Sequence, residues 1–64
     1  MELLIVKRGL EAMKEGGFNC MPLSEYRDKG FSFKKETLDY VTAQGCSMKW
    51  LDTFKGGCWH IIPA

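Results

Sequence analysis

The tripeptide Lys55-Gly56-Gly57 lies between two apolar, β-prone segments, Lys49-Trp50-Leu51-Asp52-Thr53-Phe54 and Cys58-Trp59-His60-Ile61-Ile62. Paired glycines supply the positive φ that hairpin turns require, so residues 50–62 are expected to form a two-stranded hairpin. Pro63 cannot donate to a ladder and ends the second strand. A lone hairpin is marginal in water, so the rest of the chain must cover its apolar side chains. With 64 residues in all, that makes one small domain, which buries only roughly 60% of its unfolded surface.

The residues before the hairpin supply the cover. Leu3, Val6, Leu10 and Met13 recur at helical spacing, so residues 1–17 read as a helix ended by Gly16-Gly17. The β-branched pair Ile5-Val6 leaves a short strand over residues 3–7 as the alternative. That alternative has a consequence: a strand there, paired with residues 58–62, would make a three-stranded layer and weaken a winged-helix reading. Pro22 suits the first turn of a helix. Residues 22–29 therefore read as a short helix with Leu23 and Tyr26 inward, terminated by Gly30 in a left-handed conformation. Ser32 is the expected N-cap of the next helix, which runs from about residue 33 or 34 to residue 43. Leu38 and Val41, with Phe33 before them, form its expected inward face, and Gly45 is its stop.

Two short helices joined through a glycine turn match the helix-turn-helix pattern. A hairpin directly after the second helix makes the arrangement a winged helix. The expected fold is thus α+β: a small winged helix-turn-helix over residues 22–45, with the hairpin of residues 48–62 as wing. In that arrangement the second helix enters the major groove. Lys34 and Lys35 would contact phosphate or guanine, and Thr37, Thr42 and Gln44 would supply hydrogen bonds. Lys55, Gly56 and Gly57 would lie along the backbone at the wing tip, where glycine permits close approach and lysine neutralises a phosphate. Asp39 interrupts the basic face of the helix.

The stretch from Pro22-Leu-Ser-Glu-Tyr-Arg-Asp-Lys-Gly30, through residues 32–45, to Lys55-Gly-Gly-Cys-Trp-His-Ile-Ile62 resembles the phage and transposon excisionases. These are small winged-helix proteins related in architecture to MerR-type regulators. Leu23, Glu25, Tyr26, Thr37, Leu38, Gly56, Gly57 and Trp59 fall at the places of that family's short motifs. The resemblance implies a DNA-binding accessory factor without catalytic activity. Such a factor binds repeated sites on double-stranded DNA, bends them, directs a recombinase towards excision and sometimes represses a promoter. Self-association on adjacent sites would follow.

Composition narrows the classes without choosing among them. The charged fraction of 27% and hydrophobic fraction of 45% are those of a globular chain. The net charge of +1 excludes a binder that works by bulk electrostatics alone. The longest apolar run, Leu3-Leu4-Ile5-Val6, is far shorter than a membrane span, and no signal-peptide pattern follows it. A cytoplasmic protein with reduced thiols is expected. Cys20, Cys46, Cys58 and His60 make a formal Cys₃His set, but no short C-x-x-C knuckle unites them, and no metal or cofactor is expected. No nucleophile, phosphate-loop or dinucleotide motif is present, and the expectation is not an enzyme. The second functional reading is a small phage-type inhibitor or adaptor docking on a host protein. It would present an exposed apolar patch that includes a tryptophan or Tyr40.

Overall fold

The structure is a computed structural model and describes residues 1–53 and 56–64. Five elements follow one another: α1 (Glu2–Gly16), β1 (Met21–Leu23), α2 (Lys35–Ala43), β2 (Cys46–Leu51) and β3 (Cys58–Pro63). The fold is α+β. Three antiparallel strands in the order β1-β3-β2 form one layer, and the two helices form the other.

The N-terminal segment is a helix throughout, which settles the helix-or-strand alternative. Its buried stripe is Val6, Leu10 and Met13, spaced to face one side. Gly17 closes it in a left-handed conformation (φ 66°), with Gly17 N–H donating to Lys14 O and Phe18 N–H to Met13 O. This is the paired C-terminal bonding that ends helices at glycine. Gly9 stands inside α1 at the closest approach to the sheet. A Cβ there would lie 3.2 Å from both Ile61 Cδ1 and Leu23 Cδ2.

The hairpin forms as expected, but its first strand begins earlier. β2 starts at Cys46, directly after Gly45 (φ 76°), and ends at Leu51. Asp52 and Thr53 belong to the turn instead. Asp52 Oδ1 accepts from Trp50 Nε1 at 2.9 Å, and Thr53 accepts from Gly56 N–H at its carbonyl and from Gly57 N–H at its hydroxyl. The register pairs Trp50 with Trp59 and Leu51 with Cys58.

Residues 22–29 are not a helix, and the expected helix-turn-helix pair is not formed. Pro22 is the middle residue of β1, opposite His60, on an edge of the sheet where its missing N–H is tolerated. Gly30 does not take positive φ; its N–H donates to Asp28 Oδ1 at 3.0 Å, and Phe31 N–H to Asp28 O. The physical reason is tertiary. Trp59 N–H donates to Tyr26 O at 3.0 Å and its indole Nε1 to Asp28 O at 2.9 Å. Tyr26, Phe31 and Phe33 pack ring against ring at 4.9–5.1 Å, and Phe33 meets Trp59 edge-on at 5.5 Å. Packing three half-buried rings together outweighs the weak helical preference of so short a segment.

Side chains alternate across the sheet. Met21, Leu23, Met48, Trp50, Trp59 and Ile61 share the face that both helices cover. The core beneath α1 and α2 is Val6, Leu10, Met13, Leu23, Val41, Cys46 and Ile61. Pro22, Lys49 and His60 share the opposite face. No helix among the described residues is long and apolar enough to cross a membrane.

Candidate nucleic-acid interface

Helix α2 turns Thr37 and Val41 inward, both essentially inaccessible (0% and 1%). This rotation corrects two expectations. Thr37, expected to offer its hydroxyl outward, is buried instead: the hydroxyl donates to Glu2 Oε1 at 2.5 Å, in the seam between the helices. Leu38, expected inside, is 41% exposed, because it lies roughly 100° around the helix from Thr37. Residues 37 and 41, at i and i+4, share a face as readily as Leu38 and Val41 at i and i+3.

The same carboxylate caps the helix. Lys34, not Ser32, is the N-cap residue, and it makes no side-chain cap bond of its own. Its N–H donates instead to Glu2 Oε1 at 3.0 Å. An acidic side chain from α1 thus sits at the positive end of the α2 dipole. No sequence signal marks this, because Glu2 reads only as a favourable charge in the first turn of its own helix.

The outward face of α2 carries Lys35, Asp39 and Thr42 at i, i+4 and i+7, all exposed, with Lys34 at its start. Lys35 Nζ and Asp39 Oδ2 are 2.7 Å apart. The hydrogen bond to Asp39, then its charge, raises the Lys35 pKa above the ordinary lysine value. Gln44 is half-buried and faces α1, where its Oε1 accepts from Lys14 Nζ at 2.7 Å. Lys7 Nζ lies 5.2 Å above the Tyr40 ring, so Tyr40 also belongs to the α1–α2 seam. Of the expected contact residues, Lys34, Lys35 and Thr42 share an accessible surface, while Thr37 and Gln44 do not join them.

At the hairpin, Gly56 is exposed with φ 108° and open space where a side chain would stand. Gly57 is buried, so the close approach it permits is internal rather than to a ligand: a Cβ there would lie 2.8 Å from Leu51 O. Its carbonyl lies 3.4 Å from Arg27 Nη1. Lys55 lies outside the described residues.

Two further features bear on chemistry. Cys58 and His60 are buried, with Sγ and Nδ1 3.8 Å apart. His60 Nδ1 also lies 3.0 Å from Cys58 O. A carbonyl oxygen only accepts, so that bond places the proton on Nδ1 and leaves it no lone pair with which to deprotonate the thiol. Cys46 is buried in the main core and Cys20 is exposed; no group of three or more potential metal ligands occurs among the described residues. Between α1 and β1 lies an open groove of about 210 Å³, lined by Ile5, Arg8, Gly9, Met21, Leu23 and Glu25, with Pro22 on its rim. Ligand pockets typically enclose about 300–1,000 Å³. Comparison with family profiles, with curated proteins and with solved structures returned no match.

Proposed function

We propose that this chain is a small duplex-DNA-binding module, accessory or regulatory rather than enzymatic, of the kind the excisionase resemblance implies. The observation that carries the reading is the coupling of α2 to the hairpin. Only Gln44 and Gly45 separate them, and Ala64 N–H closes back on Gly45 O at 3.0 Å. A helix with an accessible, lysine-bearing face and an adjacent hairpin are therefore held as one rigid pair. A winged helix would use the same two elements on DNA, although residues 22–29 do not form its first helix. Nine residues of α2 span about 13 Å, enough to lie across a major groove about 12 Å wide. A recombinase partner and self-association on adjacent sites belong to the same proposal. So does a cytoplasmic location.

Lys34, at the start of the helix, supplies a phosphate contact, and Lys35 faces the bases. Binding to a fluorescent duplex, followed by anisotropy over a salt series, is expected to weaken steeply with salt, and Lys34→Ala to reduce the slope by about 1. Shift changes in an NMR titration should fall on residues 32–44 and 53–58. Binding that is absent, or indifferent to salt, would end this reading.

One observation favours docking on a host protein instead. Phe18, Leu4 and Leu38 are 58%, 42% and 41% exposed, and Met1 is 87% exposed. The tryptophans and Tyr40, however, are half-buried in internal contacts, so the aromatic anchor expected of that reading is only partly exposed.

A further inference from the structure

We infer that Lys35 and Asp39 act as one unit that reads a single G·C base pair in the major groove, with guanine on the lysine side. The inference rests on the DNA-binding reading and deepens it.

Asp39 is the awkward residue of that reading, since a carboxylate facing a phosphate backbone costs binding. Its geometry gives it another use. The two side chains are 88% and 63% exposed and project together from the outward face of α2, with Nζ and Oδ2 2.7 Å apart. At such exposure the pair adds little to stability, and both groups retain unused hydrogen-bonding capacity: an ammonium has three donors and a carboxylate about four acceptor sites. The unit is thus a donor and an acceptor held side by side at hydrogen-bond spacing.

A base pair presents the complementary pattern. In the major groove, guanine O6 accepts beside the cytosine N4 amino group, which donates. Those two atoms are themselves hydrogen-bonded, so they lie about 2.9 Å apart. Lys35 Nζ facing O6 and N7, with Asp39 accepting from N4, matches both polarity and spacing. A T·A pair also places an acceptor beside a donor, but its flanks are wrong. The thymine methyl replaces the second acceptor under the ammonium, and adenine N7 brings an acceptor against the carboxylate. The reversed pairs C·G and A·T exchange donor and acceptor and oppose the unit outright. The other lysines near α2 lack this arrangement: Lys7 is over Tyr40, Lys14 is bonded to Gln44, and Lys34 begins the helix.

The test is selection of bound sequences from a pool of duplexes with a randomised centre, using the whole chain and Asp39→Asn. Both positions are exposed, and circular dichroism checks that the variant folds. Wild type is expected to enrich one G·C position. Asp39→Asn, whose amide pairs with adenine N6 and N7, is expected to lose about tenfold or more on that site and to shift the position towards T·A, with adenine replacing the cytosine that faces residue 39. Salt-dependent binding with a preference at that position unchanged by Asp39→Asn would overturn the inference and leave the DNA reading standing. No salt-dependent binding to any duplex would overturn both.

Discussion

A methyl group added at Gly57 would have nowhere to go. The backbone there has φ 93°, and the new Cβ would lie 2.8 Å from Leu51 O, 3.0 Å from Trp50 Cζ2 and 3.1 Å from Asp52 Cα. Neighbouring Gly56 has φ 108° but open space around its missing side chain. The two glycines look alike in sequence and differ in what they permit. At Gly56 the requirement is conformational; at Gly57 a backbone crossing is added to it. Gly57→Ala is therefore expected to destabilise by about 2–3 kcal/mol and Gly56→Ala by about 1, read from urea unfolding midpoints. Equal costs would mean that the crossing strand yields. The space above the Gly57 Cα is already filled by residues 50–52.

At the scale of elements, the joint between α1 and α2 depends on one carboxylate. Glu2 accepts from Lys34 N–H and from the buried Thr37 hydroxyl. Removing Glu2 strands both donors, one at a helix N-terminus and one in the core. Removing the hydroxyl alone leaves Glu2 its bond to Lys34. Glu2→Ala is thus expected to cost about 1–3 kcal/mol, and Thr37→Val, which keeps the side-chain volume, less than about 1. In the double variant the two costs should not add, because the Ala background has already lost the shared bond. Additive costs from chemical denaturation would show that Glu2 acts only through Lys34. The joint also explains what could be read in advance. The hairpin, α2 and the glycine stops at Gly17 and Gly45 follow from local chemistry, which sequence displays directly. The inner face of α2 does not, because Thr37 is chosen by a partner 35 positions away. Residues 22–29 fail for a related reason. Proline suits both the first turn of a helix and an edge strand, and only Trp59, packed against Phe33 and bonded to Tyr26 and Asp28, decides between them. Of the interface, Lys34, Lys35 and Thr42 were legible as an outward face. The pairing of Lys35 with Asp39 follows from their i, i+4 spacing on that face.

At the scale of the molecule, the sheet has two unequal edges. Strand β1 is three residues long with Pro22 at its centre, so it offers a neighbouring chain little to pair with. Strand β2 is six residues long, contains no proline and lies at the other edge. Lys49 is the exposed charge along it, between half-buried Met48 and Trp50. Charged side chains on an edge disfavour strand addition, since a second strand would bring their charges together and strip their water. Lys49 lies on the sheet face away from the helices, opposite the buried His60, so replacing it leaves the core beneath the helices in place. Lys49→Val supplies a β-branched residue suited to strands and removes that barrier. The variant is expected to unfold at a urea midpoint close to that of the native chain. It should also self-associate with rising concentration in sedimentation velocity, while the native chain free of DNA stays a monomer. If Lys49→Val remains monomeric at high concentration, the β2 edge is guarded by something other than charge. If the native chain already dimerises without DNA, Lys49 does not guard that edge against association.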